Sequence, residues 1–353
     1  MDTAEKSDIR KLSREALRTF FTENGEQAFR GNQVYEWLWQ KGAHSFEAMT
    51  NLSLVHRELL NTHFTINHIA VDQMQRSTDG TIKNAVRLHD GLIVESVLIP
   101  TESRTTACVS SQVGCSLDCR FCATARLKRM RNLNPDEIFD QVVVIDRQSR
   151  LYFGRPLSNI VFMGMGEPLM NYPNVVRAIR MISSEEGLGM SPKRITVSTS
   201  GVPKMIRKLA DEELRCNLAV SLHSAVEETR TEIMPFNAKM PLQDLKESIV
   251  YWYDKTRSRI TYEYVVWEGI NDAPADIRAF LDFCKAAPCK VNLIEYNPID
   301  DGEFRQAPEQ AVQAYVRALE AAGITVTVRR SRGKDIDAAC GQLANKGSGD
   351  NRA

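Results

Sequence analysis

Three cysteines stand within eight residues, Cys115, Cys119 and Cys122, in the spacing C-x3-C-x2-C. Three thiolates on one short loop can each hold one iron of a [4Fe–4S] cluster, whereas a usual electron-transfer cluster takes a fourth cysteine. With three, one iron keeps an open position that can chelate a small molecule through amino and carboxylate groups. Zinc is the competing reading, but it prefers four ligands, often as two C-x2-C pairs, and no second pair occurs. Three buried structural cysteines would leave such tight clustering unexplained. The cluster reading is favoured.

Other residues able to do chemistry are scattered. Gly164-Met165-Gly166-Glu167-Pro168 follows the apolar run NIVFM; glycine lets a backbone approach a ligand closely, and proline fixes a turn. Ser198, Ser221-Leu222-His223 and Asn297 each end a β-type segment. Singly, such residues usually satisfy turn backbone. Together they place polar groups at matching ends of successive strands, which is what a pocket at the mouth of a barrel requires. His223 reads as a hydrogen-bonded histidine at the core edge, without a proton-transfer role. Cys108 and Cys340 remain; buried free thiols are the plain reading for them and for Cys216, Cys284 and Cys289.

The elements that position these residues follow from periodicity. From about residue 104, strand-like segments TTACVSS, SNIVFMG, RITVSTSG, CNLAVSLH, ITYEYVVW and KVNLIEYN alternate with helical stretches. Strands joined by crossover helices run parallel, so an α/β sheet or barrel with its chemistry at the C-terminal strand ends is expected. One helix start is well specified, with Asn134 as N-cap, Pro135 first, and Asp136 and Glu137 in the first turn. Residues 1–100 read as an accessory region, helical to about Phe64 with Ser13 as an N-cap, then short strands broken by Asp79-Gly80 and Asp90-Gly91. The main domain is expected over 101–342, with a last strand, ITVTVRRS, leading to the loop of Cys340, and a flexible tail over 343–353.

C-x3-C-x2-C with Phe121 before its last cysteine resembles the radical S-adenosylmethionine superfamily, whose usual fold is a partial (β/α)6 barrel. ACVSSQVGCSLDCRFCAT, GMGEPL, STSG, SLH and SRGKDIDAACGQL together resemble the RlmN family, with its relative Cfr, from about Lys6 to Lys346. Ala125 departs from the glycine that many members carry after CAT. The resemblance implies a [4Fe–4S] cluster on Cys115, Cys119 and Cys122, with S-adenosylmethionine on the open iron. It implies that Gly166, Glu167, Ser198, Ser221, Leu222, His223 and Asn297 hold S-adenosylmethionine. It also implies the reaction: methylation of an adenine carbon in RNA, at carbon 2 in 23S rRNA and in tRNA next to the anticodon. Cys340 would first be methylated, a radical made from a second S-adenosylmethionine would activate that methyl group, and Cys108 would release the product by forming a disulfide with Cys340. Glu95 matches the family's proton acceptor; from its own segment, LIVESVLIP, it reads only as an outward-facing strand carboxylate. Carbon-8 methylation, the Cfr-type activity, is the alternative.

Bulk properties fit without adding much. Eight cysteines in a chain of 353 residues, without an N-terminal secretory signal, point to metal or redox chemistry in the cytoplasm. No apolar run approaches a membrane span. Lys plus Arg equals Asp plus Glu at 45 each, so an RNA binder needs local basic patches. Arg126, Lys128, Arg129 and Arg131 follow the cysteine triplet, and Arg329, Arg330, Arg332 and Lys334 precede Cys340; both runs are expected to contact phosphates. A monomer served by a flavodoxin- or ferredoxin-type electron donor is expected.

Overall fold

The computed structural model describes residues 6–299 and 302–345. The chain starts with three helices, α1 (Arg14–Glu23), α2 (Phe29–Trp39) and α3 (Leu54–His63). Ser13 caps α1 as its sequence implies, its Oγ accepting from Ala16 N at 3.1 Å. Their apolar faces, including Leu17, Phe21, Val34, Leu38 and Leu60, are buried in the main core. One buried ion pair fixes the helical region to the rest: Arg10 donates to both oxygens of Asp140, at 2.6 and 2.7 Å, and lies over the Trp39 ring.

A single ten-stranded sheet follows, its strands neighbouring one another in chain order. Strands β1 (Ala70–Arg76), β2 (Ile82–Arg87), β3 (Ile93–Pro100) and β4 (Thr105–Cys108) pair antiparallel. From β4 onward all pairs are parallel, through β5 (Asn159–Phe162), β6 (Ile195–Thr199), β7 (Asn217–Ser221), β8 (Ile260–Val265), β9 (Cys289–Ile294) and β10 (Thr325–Arg329). Each crossover carries helix: α4 (Pro135–Phe153), α5 (Tyr172–Ser183), α6 (Pro203–Asp211), α7 (Glu227–Ile233) with α8 (Leu242–Thr256), α9 (Pro274–Cys284) and α10 (Glu309–Ala321). The start of α4 is built as expected, the Glu137 carboxylate accepting from Asn134 N at 2.8 Å. The architecture is an α/β partial barrel of the radical S-adenosylmethionine type, with the six expected parallel strands and β10 as a seventh.

Two boundaries differ from the sequence expectation. Strands β1–β3 do not form a separate unit within residues 1–100; β3 hydrogen-bonds to β4, covering an edge that would otherwise expose unpaired backbone. At the other end, residues 343–345 do not belong to a loose tail. Leu343 is buried, its carbonyl accepts from Thr124 Oγ1 at 2.7 Å, and Ala344 N and Asn345 N both donate to Glu95. Residues 346–353 of the expected tail lie outside the described residues.

The segment after β10 forms a strap from one end of the sheet to the other. Gly333 N donates to Asp79 Oδ2 at 2.9 Å, and Asp335 accepts from Ser77 Oγ and Thr78 N in the β1–β2 turn. The strap then passes the cysteine loop, where Ala123 N donates to Gly341 O at 2.7 Å. Cys340 rides on it, above the C-terminal ends of the parallel strands.

Candidate active site

The cysteine loop leaves β4 and is held by buried polar contacts before it reaches its first thiol. Ser110 N donates to Gln141 Oε1 of α4, and Ser111 N to Met165 O. Gln112, fully buried, is the hub. Its Oε1 accepts from Ser116 N at 3.2 Å and Glu167 N at 3.0 Å, while its Nε2 donates to Ser116 Oγ and Asn132 Oδ1. Farther along, Asp118 accepts from Phe236 N, and Phe121 packs against His223, Trp267 and Phe304. The loop is thus pinned to α4, to the turn after β5 and to an aromatic wall.

Cys115, Cys119 and Cys122 line one cavity that opens to solvent. Burial pushes the Cys115 thiol up to about 12 and the Cys119 thiol well above its ordinary value, each further raised by neighbouring cysteines. Thiols held this far from ionisation become ligands only if a cation offsets their charge, and coordination to a metal deprotonates a thiol outright. A soft three-thiol set on one loop suits a polynuclear iron–sulfur cluster with one iron per cysteine.

The turn after β5 closes the next side. Gly166 has φ +93°, and a Cβ there would stand 2.5 Å from Gln112 Cβ, so only glycine fits. Glu167 is buried; its two oxygens accept from Leu169 N at 3.1 Å and Ser200 N at 2.8 Å. Burial raises its carboxyl against those hydrogen bonds, which an ammonium group in the cavity would reverse. Ser198 and Ser221, at the ends of β6 and β7, both line the cavity.

His223 also lines it, in the left-handed backbone region at φ 59°. Its Nδ1 accepts from Val265 N at 3.2 Å, and burial, followed by Arg230, pushes its pKa down to about 3. The ring is therefore neutral with its proton on Nε2, which agrees with a positioning rather than proton-transfer role. The Leu222 side chain is fully buried in the core, and its backbone N and O are engaged by Glu263 and Arg230. Asn297 donates to Cys340 O at 3.3 Å, and its buried Oδ1 has no partner among the described residues. An orphaned buried acceptor is unfavourable until a donor arrives.

Cys340 lines the same cavity and is reached by water, yet the surrounding protein raises its thiol; Arg329 opposes that shift. Cys108 is buried at the end of β4, outside the cavity wall, its thiol raised first by burial and then by the Cys340 thiol. Glu95 also lies outside the wall. It is 1% exposed, not outward-facing, with Oε1 3.3 Å from Lys83 Nζ and Oε2 accepting from Ala344 N and Asn345 N. Cys216, Cys284 and Cys289 are buried, as their sequence context implies.

The basic runs divide. Arg131 is committed to Glu137 and Asp90, Arg329 stands 3.6 Å from Glu263, and Lys334 binds Glu295 at 2.5 Å. These three engage carboxylates of the chain itself, yet Arg329 and Lys334 remain exposed, as do Arg126, Lys128, Arg129, Arg330 and Arg332. The sequence reading also missed Gln112 and Arg230. Arg230, fully buried, donates to Ser200 O and Leu222 O and so ties the ends of β6 and β7 together. Neither residue carries a local signal, since glutamine and arginine ordinarily face solvent.

Residues 7–66 match the family model described as the ribosomal RNA large subunit methyltransferase N-terminal domain, and residues 109–284 match the radical SAM superfamily. A probable dual-specificity RNA methyltransferase RlmN from Flavobacterium johnsoniae is 71% identical over 342 residues, covering 97% of this chain and 98% of that protein. The dual-specificity RNA methyltransferase RlmN of Syntrophus aciditrophicus is 42% identical, covering 96% and 97%. The crystal structure of a radical SAM methyltransferase from Sphaerobacter thermophilus superposes with a TM-score of 0.89 at 38% identity, covering 96% of this chain and 99% of that one. Identity of this order along nearly the whole chain, with the cysteine triplet, the Gly166–Glu167 turn and Cys340 gathered on one cavity, places the chain in the RlmN family of S-adenosylmethionine-dependent radical RNA methyltransferases.

Proposed function

We propose that the enzyme methylates carbon 2 of a specific adenine in the peptidyl-transferase region of 23S rRNA, and of the adenine next to the anticodon in tRNAs. The observation that carries the reading is that Cys340 and the Cys115–Cys119–Cys122 triplet share one cavity, with Cys108 ending β4, the strand that leads into the cysteine loop. The amidine carbon of adenine is not a nucleophile, so direct transfer from a sulfonium methyl cannot reach it; a methyl group carried and activated on a protein thiol can. When bound at Cys115, Cys119 and Cys122, the [4Fe–4S] cluster supplies an open iron and one electron for S-adenosylmethionine.

The chain's own residues do the rest. Glu167 offers an anionic oxygen pair to the amino group of S-adenosylmethionine, and Gly166 lets the backbone come close. Ser198, Ser221, His223 and Asn297 supply polar contacts around it, with Leu222 setting only the backbone. The orphaned Asn297 Oδ1 and the neutral His223 Nε2–H fit such a ligand. Cys340 receives the methyl group and carries it to the base, Glu95 accepts the proton that leaves carbon 2, and Cys108 attacks the Cys340 sulfur to free the product as a disulfide forms. A base inside folded RNA is extruded toward the cavity mouth. The enzyme works as a cytoplasmic monomer with a flavodoxin- or ferredoxin-type reductant.

The test incubates reconstituted enzyme, reductant and labelled S-adenosylmethionine with unmodified ribosomal RNA and tRNA, then identifies the nucleoside by mass spectrometry. Carbon-2 methyladenosine is the expected product. A carbon-8 product moves the enzyme to the Cfr-type reading, and unlabelled RNA overturns both. In the Cys108→Ala variant, RNA trapped covalently on Cys340 is expected, and full turnover without trapping contradicts the proposed release step.

A further inference from the structure

Glu95 is tied to the strap in a way that its proposed chemistry does not require. Both carboxylate oxygens are occupied. Oε1 faces Lys83 Nζ at 3.3 Å, and Oε2 accepts Ala344 N at 2.8 Å and Asn345 N at 3.1 Å. The strap is bound to the same strands by two further groups: Asn345 Nδ2 donates to Ile93 O at 2.9 Å, and Lys83 Nζ to Asp337 O at 3.5 Å. Cys340 lies between these anchors, five residues from Asn345 and three from Asp337. The carboxylate that receives a proton in the proposed reaction is therefore the group that holds down the C-terminal side of the Cys340 strap.

We infer that Glu95 is the latch of this strap and that the proton it accepts during methylation opens the latch. The inference rests on the reading of Glu95 as proton acceptor. In that step the carbon–hydrogen bond at carbon 2 breaks, the electron pair stays with the base, and an oxygen–hydrogen bond forms on Glu95. No further reactant is needed. The oxygens that must take the proton are already accepting from Lys83 and from two backbone N–H groups, so proton uptake and strap anchoring compete. Hydrogen bonds to an ionised carboxylate are roughly twice as strong as those to a neutral one, and a neutral Glu95 also loses its attraction for Lys83. The strap then loosens at residues 344–345 only after the base has given up its proton. That timing frees the Cys340 sulfur to turn toward Cys108 when release is due and keeps it fixed before.

The experiment follows hydrogen exchange of the 344 and 345 amides in the full, cluster-reconstituted chain. Glu95→Gln imitates the neutral carboxyl, but it strands the Lys83 ammonium in the core; the double variant Lys83→Met with Glu95→Gln removes that stranded charge. Exchange at 344–345 is expected to rise by at least about tenfold in both variants, while amides of β6–β8 keep their protection. Unchanged exchange at 344–345 in both variants overturns the latch and leaves the proton-acceptor reading standing. A loosened strap with full turnover overturns the proton-acceptor reading instead.

Discussion

Replacing Gln112 with methionine tests whether the cysteine loop and the Glu167 turn are held as one unit. Methionine keeps the length and the unbranched shape but removes four hydrogen bonds. Glu167 N is buried and loses its acceptor outright, a penalty of about 1–3 kcal/mol. Ser116 is half-buried and can turn to water, so its loss is nearer the net value of an ordinary hydrogen bond, about 1 kcal/mol. Together they amount to about 2–4 kcal/mol, concentrated where the loop meets the turn. If even about 1.4 kcal/mol of that appears as displacement of the Glu167 carboxylate, affinity for its ligand falls tenfold. The assay measures iron and sulfide per chain, and the Kd of S-adenosylmethionine by equilibrium dialysis, on the reconstituted holoenzyme. Fewer irons per chain and a Kd weakened at least tenfold are expected. Iron content and Kd both within about twofold of the parent would refute the hub argument, since about 2 kcal/mol at this position could not then be invisible to both.

Arg10→Met leaves Asp140 buried without its bidentate partner, and a loss of about 3–5 kcal/mol in stability is expected from denaturant unfolding, with cluster content preserved. Asp136 has its carboxyl raised by burial from 3.8 to about 6. The folded chain thus holds this proton more tightly than the unfolded chain, so the contribution is fully present below pH 3.8 and is lost as pH rises through about 6. Asp136→Asn is accordingly expected to stabilise the protein at neutral pH by up to about 3 kcal/mol and to flatten the pH dependence of its unfolding free energy in that window; no gain at pH 7 would refute the sign. Neutralising Lys128, Arg129, Arg330 and Arg332 together is expected to weaken RNA binding and to reduce the slope of log affinity against log salt by roughly 0.7 for each phosphate contact removed. Arg131→Gln is expected instead to lower stability, because that guanidinium holds Glu137 and Asp90.

Much of the site was legible because its information is local. Thiol spacing within one loop states how many irons can be held, whatever surrounds it. The alternation of strands and helices dictates parallel pairing, and Asn134, Pro135 and Glu137 write the start of α4 into four consecutive residues. Positions at strand ends such as Ser198, Ser221 and Asn297 could be grouped for the same reason: a parallel barrel brings all C-terminal strand ends to one rim.

What the chain by itself could not decide is which charged and polar groups end up buried, and against whom. Glu95 reads as an outward-facing strand carboxylate until a strap from the far end of the chain lies over it. Arg131, Arg329 and Lys334 read like their solvent-exposed neighbours, and only the folded chain supplies the carboxylates that engage them. Gln112 looks like any loop glutamine until Glu167, contributed by a different strand, turns its N–H toward it. Residue type and spacing determine what a group can do. Its charge state and orientation depend on desolvation and on partners distant in sequence, and those exist only once β3, the cysteine loop and the Cys340 strap have closed on one another.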